Sequence, residues 1–303
     1  MQLPYNDFGN WMRQQFPYKV QKLSVNAGFT CPTRDGRTGF GGCTYCNNRS
    51  FNPAYCDPQE QVSKQLDAGK KFFARKYPNM KYLAYFQAYT STYDTIDRLK
   101  AMYEEALMVE DVVGLVIGTR PDCMPDALLN YLEELNKHTF LIVEYGVESA
   151  NNNTLERVKR GHTFECSRDT IERTHQRGIK TGAHVIIGLP GEDAKESIRQ
   201  ASIMSSLPID ILKIHQMQII RGTLLAKTYL EQPFHLYTVD EYLDVICEYV
   251  KRLRKDLVLE RFVSQSPEGL LIAPKWGLKN YEFTNLLVSK MEKEKITQGI
   301  MSL

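Results

Sequence analysis

The chain of 303 residues has no run approaching 18 apolar residues, no low-complexity tract and no long Gly/Ser linker. Without such a run no segment reads as a membrane-spanning helix. The first twenty residues, MQLPYNDFGNWMRQQFPYKV, also lack the apolar stretch of an export signal. The expectation is a cytoplasmic protein with no membrane partner, in a reducing compartment where structural disulfides rarely persist. Net charge is scarce too, at +2 from 38 Lys+Arg and 36 Asp+Glu. A hydrophobic fraction of 43% with 24% charged residues excludes disorder, collagen and coiled coil. The length suits about two domains, or one α/β barrel of roughly 250 residues, and a core that needs no staples.

What is present is unevenly placed. Residues 1–81 carry 12 Lys/Arg against five Asp/Glu, so this segment is +7 and the remaining 222 residues are −5. A basic segment can meet a phosphate-rich partner, although a solvated surface explains the same charges. The seven cysteines are uneven as well: Cys31, Cys43 and Cys46 cluster, whereas Cys56, Cys123, Cys166 and Cys247 scatter.

Short β-rich runs alternate with amphipathic helical stretches. The strand candidates are 20–26, 81–87, 112–118, 140–146, 180–188 and 210–217. Helical patterns lie near 58–76, 95–109, 125–137, 151–160 with 165–177, and 192–206. Pro125 suits an early helical position, and Asn153 and Thr154 offer capping side chains. This alternation implies parallel strands joined by right-handed crossovers, in a doubly wound sheet or in a barrel of fewer than eight units. Either architecture puts ligands at the carboxyl ends of the strands, where the polar residues also gather. Beyond residue 220 the alternation stops. A long amphipathic helix over 239–256, an edge strand over 258–264 and a last helix near 281–295 then read as a C-terminal extension (221–303) on the core (1–220).

Eleven residues separate Cys31 from Cys43, and two separate Cys43 from Cys46, around the glycine-rich loop PTRDGRTGFGG. Thiolates are soft ligands for iron–sulfur clusters or zinc. Three of them would leave one iron of a [4Fe–4S] cluster open to an outside ligand. Zinc, the main competitor, would want a fourth ligand; nine residues separate Cys46 from Cys56 and no histidine precedes His138.

The segment GFTCPTRDGRTGFGGCTYCNNRSF resembles the cluster loop of radical S-adenosylmethionine (SAM) enzymes. Their usual first gap is shorter. The longer gap, with Cys-Pro-x-Arg-Asp-Gly, is similar to the radical-SAM domain of the Elongator catalytic subunit, and more so to a short bacterial family related to it. TRPD at 119–122, EYGVES at 144–149, KRGHT at 159–163, GLPGE at 188–192 and GTLLA at 222–226 extend the likeness in matching order, without the acetyltransferase domain. The resemblance implies an α/β fold, a partial (β/α)6 TIM-type barrel with a C-terminal helical extension.

It further implies that Cys31, Cys43 and Cys46 hold three irons of a [4Fe–4S] cluster whose fourth iron chelates SAM. One-electron reduction then yields a 5′-deoxyadenosyl radical that takes hydrogen from substrate, with a reductase or flavodoxin-type protein as electron donor. Ala88, Tyr89 and Thr90 stand where such enzymes often carry a Gly-Gly segment against the methionine amino group; barrel filling is the other reading of Gln87 and Tyr89. Glu148 matches a ribose-contacting position, with a surface pair to Arg157 or Arg160 as the competing role. Arg160 matches a residue near the SAM carboxylate. Gly118 stands where relatives often have Glu, Arg120 and Asp122 suit either a structural pair or substrate contact, and Gly188 and Gly191 shape a turn beneath adenine. His184 falls at the SAM level or in the core. Lys213 and His215 share one strand face and are the substrate-facing, catalytic candidates; a buried lysine there needs a partner. The likeness suggests tRNA as partner and the C5 side chain of wobble uridine as the reacting group, for example carboxymethylaminomethyl-uridine processed to aminomethyl-uridine. The rival functions are a radical-SAM enzyme acting on a small molecule or tetrapyrrole, and a non-enzymatic zinc-stabilised RNA-binding module.

Overall fold

The computed structural model describes residues 3–74 and 79–302. Helix α1 (Phe8–Gln15) leads into β1 (Val20–Val25), α2 (Val62–Ala74), β2 (Lys81–Phe86) and α3 (Ile96–Leu107). Then come β3 (Val112–Thr119), α4 (Asp126–Asn136), β4 (Phe140–Glu148), α5 (Asn152–Arg157), α6 (Phe164–Gln176), β5 (Lys180–Ile187) and α7 (Ala194–Ser206). The chain closes with β6 (Ile211–Gln216), β7 (Ile219–Ile220), α8 (Leu224–Glu231), α9 (Val239–Arg252), β8 (Val258–Arg261), β9 (Leu271–Ala273) and α10 (Asn280–Lys293).

Seven strands form one parallel sheet in the order β1-β2-β3-β4-β5-β6-β8, while β7 and β9 make a separate antiparallel pair. All six expected strands are present. The stretch expected at 258–264 contributes only four residues, as a seventh parallel strand beside β6. The sheet curls into a half-barrel. Its two edges come close enough for Lys22 of β1 to meet Glu260 of β8, with Nζ 2.7 Å from Oε2.

The curl is held from both sides by apolar side chains. Outward-facing residues such as Leu115, Ile117, Val143 and Leu212 pack under the helices in one continuous core that also takes in Tyr242, Phe283 and Met291 from α9 and α10. Burying each such side chain is worth about 1.5–3 kcal/mol. Inward-facing Leu83, Val116, Ile142, Ile211 and Val258 meet Met12, Phe8, Trp11 and Phe16, so α1 plugs the amino-terminal end of the barrel. Asp7 fixes the entry into that plug: its Oδ1 accepts from Asn10 N at 3.0 Å. A ligand is therefore admitted only at the opposite end. No helix among the described residues is long and apolar enough to cross a membrane.

Local differences have simple causes. The side chain capping α5 is Asn151, rather than Asn153 or Thr154, because those two lie inside the first turn and supply the N–H groups it accepts. Pro125 sits just before α4 as its cap. The helix expected over 58–76 runs from 62 to 74, and Arg75 and Lys76 of the basic segment lie outside the described residues.

Candidate active site

A cavity of about 750 Å³ opens at the carboxyl ends of the strands. Cys31, Cys43 and Cys46 all line it, and Cys56, Cys123, Cys166 and Cys247 do not. The loop after β1 turns back through Gly41 and Gly42, at φ +81° and +82°. A Cβ on Gly42 would lie 2.8 Å from the Arg34 guanidinium, so the backbone here must be bare. Cys46 N donates to Cys43 O at 3.0 Å, which closes the C-x-x-C turn.

The thiols sit in an electropositive setting. Arg160 and Arg120 approach Cys43 Sγ at 3.6 and 4.0 Å, and Thr90 Oγ1 donates to Cys31 Sγ at 3.0 Å. Burial and the neighbouring Cys43 push the Cys46 thiol up to about 11, against the pull of Arg34. Burial also raises Cys31. Three soft donors on one loop, flanked by guanidinium groups that favour thiolate over thiol, suit a metal–sulfur group that displaces the protons Cys31 and Cys46 hold as free thiols. Among the described residues no three His, Cys, Asp or Glu side chains converge closely enough to hold one metal ion.

Above the thiols the wall is built from strand ends. Ala88 and Thr90 are buried, and Tyr89 takes φ +58° with its N–H donating to Asn48 Oδ1 at 3.1 Å. Arg34 lies over the Tyr89 ring, 5.3 Å from its centroid. Glu148 follows a bulge in β4 at φ +69°. Arg160 NH2 donates to Gly146 O at 2.6 Å and lies 3.7 Å from Glu148 Oε1. Arg157 is engaged elsewhere, donating to Pro190 O at 2.9 Å. Gly191, at φ +92°, is needed for this: a Cβ there would fall 1.3 Å from Arg157 NH1. Arg120 does pair with Asp122, through two contacts of 2.9 Å, and also donates to Arg160 O at 2.7 Å. The pair thus orients the Arg120 guanidinium at Cys43 and ties it to the Arg160 main chain.

The cavity floor carries a charge network that the sequence only hinted at. Lys213 Nζ lies 2.6 Å from Glu144 Oε2 and 3.2 Å from Glu260 Oε1, and donates to Tyr85 OH at 3.2 Å. Lys22 Nζ reaches the same two carboxylates at 2.8 and 2.7 Å. His184 Nε2 is 3.0 Å from Glu144 Oε2. Burial works against the Glu144 carboxylate, but Lys213, Lys22 and His184 hold it well below the usual range. His184 and His215 line the same cavity, with ring centroids 5.6 Å apart. Burial pushes both imidazoles down, with the Arg261 charge adding to the effect on His215. Both are neutral at neutral pH.

Lys213 accordingly has its partners. Lys22, Tyr85, Glu144, Glu260 and Arg261 are site residues that the sequence reading passed over as candidates for chemistry. An acid within the apolar run FLIVEYGVE was the one visible signal, because a buried parallel strand tolerates Glu only when it is paired. The basic segment, in turn, is not one basic face. Lys22 points into the barrel, and Lys64, Lys70 and Lys81 pair with Glu60, Asp67 and Asp111.

The family model "Radical SAM superfamily" matches residues 35–199, and "Radical_SAM C-terminal domain" matches 209–293. Protein YtqA of Bacillus subtilis (strain 168) is 31% identical over 97% of this chain and 92% of its own length. The tRNA uridine(34) acetyltransferase of Methanocaldococcus jannaschii is 29% identical over 61% of this chain, but over only 34% of that protein. A solved structure of archaeal Methanocaldococcus infernus Elp3, with residues 1–46 deleted, has a TM-score of 0.71 at 19% identity, covering 93% of this chain and 64% of that one. The last likeness concerns the fold alone. With a superfamily model over more than half its residues, the chain belongs to the radical SAM superfamily and is an enzyme of it, for which a [4Fe–4S] cluster and SAM are the implied cofactors.

Proposed function

We propose that Cys31, Cys43 and Cys46 hold the [4Fe–4S] cluster by three irons, and that the enzyme acts on the C5 side chain of tRNA wobble uridine, taking carboxymethylaminomethyl-uridine towards aminomethyl-uridine. The observation that carries the cluster assignment is that these three thiols, alone among seven, line the cavity beneath Arg120 and Arg160. When bound, the cluster and SAM supply radical chemistry that abstracts hydrogen from an unactivated carbon.

The chain's own residues would do the rest. Arg160 offers its fork to the SAM carboxylate, and Glu148, held beside it, accepts from ribose hydroxyls. The backbone of Ala88 and Tyr89, with the Thr90 hydroxyl, faces the methionine end. His184 borders the SAM level from the floor side, bonded to Glu144. Lys213 and His215 face substrate, with Lys213 held by Glu144 and Glu260. The plugged barrel excludes water from the reacting carbon. A one-electron donor of the reductase or flavodoxin type, in the cytoplasm, completes the reading.

The tRNA part rests on kinship with the tRNA uridine(34) acetyltransferase, and exposed Arg49, next in sequence to the cavity-lining Ser50, is available to phosphates. Mass spectrometry of tRNA nucleosides from a deletion strain tests it. Accumulation of carboxymethylaminomethyl-uridine at the wobble position is expected, and an unchanged profile would overturn the substrate reading.

A further inference from the structure

On the cavity floor three cations face two carboxylates. Lys22 and Lys213 each touch both Glu144 and Glu260. Arg261 touches neither. Its NH2 lies 3.2 and 3.3 Å from the two ring nitrogens of His215, its Nε is buried without a partner, and among the described residues no carboxylate pairs with it. The His215 ring, which burial and Arg261 itself hold neutral, adds no second positive charge and supplies no anion. One positive charge is thus left in excess on the floor, on the side chain best shaped to take an anion by two parallel bonds.

Its position is specific. Arg261 ends β8, opposite Lys213 in the β6–β8 register, so it stands on the open edge of the half-barrel where a ligand can lie between β8 and the cluster loop. Arg261 and His215 both line the cavity, beside the polar side chains of Gln216, Ser264 and Ser266. A guanidinium kept half-buried with no anion is costly to the folded protein, and that cost is recovered when an anion arrives.

We propose that Arg261, steadied by His215, anchors a carboxylate at the end of the substrate's reacting side chain. This rests on the wobble-uridine reading: a carboxymethylaminomethyl group ends in a carboxylate, and its aminomethyl product does not. Arg261 therefore distinguishes substrate from product. A backbone phosphate is the other anion of the same charge that tRNA could offer.

The test measures binding of the reconstituted enzyme, under anaerobic conditions, to two anticodon stem-loops identical except for carboxymethylaminomethyl-uridine or aminomethyl-uridine at the wobble position. Wild type is expected to prefer the carboxylate-bearing loop by about tenfold or more, as befits a charged hydrogen-bonded pair. R261Q should bind the two loops alike, and R261K should keep part of the preference, since it retains the charge and loses the fork. The visible absorbance of the cluster reports that each variant is folded. Retention of the full preference by R261Q, or its absence from wild type, would overturn the proposal. So would inorganic phosphate that competes equally with both loops in wild type and fails to do so in R261Q, because the site would then be a phosphate site. Binding needs no turnover, so this result stands apart from the deletion-strain nucleoside profile on which the substrate reading itself depends.

Discussion

Lys213 Nζ lies 2.6 Å from Glu144 Oε2, and the two side chains are 3% and 1% exposed. Glu144 is the hub of the floor, accepting also from Lys22 and His184. Truncating it would leave Lys22 and Lys213 sharing Glu260 alone in a site of low dielectric. Glu144→Ala should cost about 3–5 kcal/mol of folding stability, the usual loss when one partner of a buried pair is removed. Replacing Glu144 by Gln and Lys213 by Met together should cost less than the two single changes summed. Urea unfolding measures both, and a Glu144→Ala midpoint close to wild type would contradict the hub.

Acid should destabilise the protein earlier than carboxylate titration alone would. Burial and the Arg160 charge push His162 down to about 3, and His184 and His215 are lowered for the reasons given above. Above the ordinary histidine value of 6.5 the three are neutral folded or unfolded and add no pH dependence. Below it the unfolded chain takes up protons that the folded one refuses, so stability falls with pH. The slope is up to about 1.4 kcal/mol per pH unit for each histidine. Glu144, held low in the fold, adds a loss of the same sign below its ordinary 4.5. Unfolding free energies at pH 7.5, 6 and 5 should therefore decline, and less steeply for His162→Asn; a flat profile would show that these rings accept protons in place.

Cys43→Ala should abolish cluster loading, because Cys43 is the thiol that both Arg120 and Arg160 approach. Cys247→Ala, in the core of α9, should leave loading intact. Iron content and visible absorbance after anaerobic reconstitution decide it. Colourless protein carrying one zinc and no iron would end the cluster assignment.

Gly146 leaves no room for a side chain. A Cβ there would lie 2.5 Å from Glu148 Oε1 and 2.6 Å from Arg160 NH2, and would push both groups away. Gly146→Ala is expected to weaken SAM binding by tenfold or more, about 1.4 kcal/mol, while iron content stays near wild type. Unchanged SAM affinity, measured by equilibrium dialysis, would remove Glu148 and Arg160 from the SAM site.

Much of this was legible along the chain. Each of the six expected strands formed, because short runs rich in aliphatic and aromatic residues, set off by polar loops, mark strands of a buried parallel sheet. The cysteine loop was legible because its ligands are sequence neighbours. Arg120 was readable as half of a pair with Asp122 or as a substrate contact; its role at Cys43, 77 positions away, needed the folded loop. Edge strand β8 was expected, yet nothing local marked Glu260 and Arg261 as site residues, since a Glu-Arg pair at a strand end usually meets water.

Sequence alone determined which elements form, their order, and that three of seven cysteines share one loop, for these follow from local periodicity and spacing. Tertiary structure alone decided that the sheet curls until β1 and β8 approach, which brings Lys22 within reach of Glu260, 238 positions away. That closure gives Lys22 and Lys213 carboxylate partners, while among the described residues Arg261 meets only the His215 ring and no carboxylate. Pairing across such a separation depends on the twist accumulated over the whole sheet, a property no stretch of neighbouring residues carries.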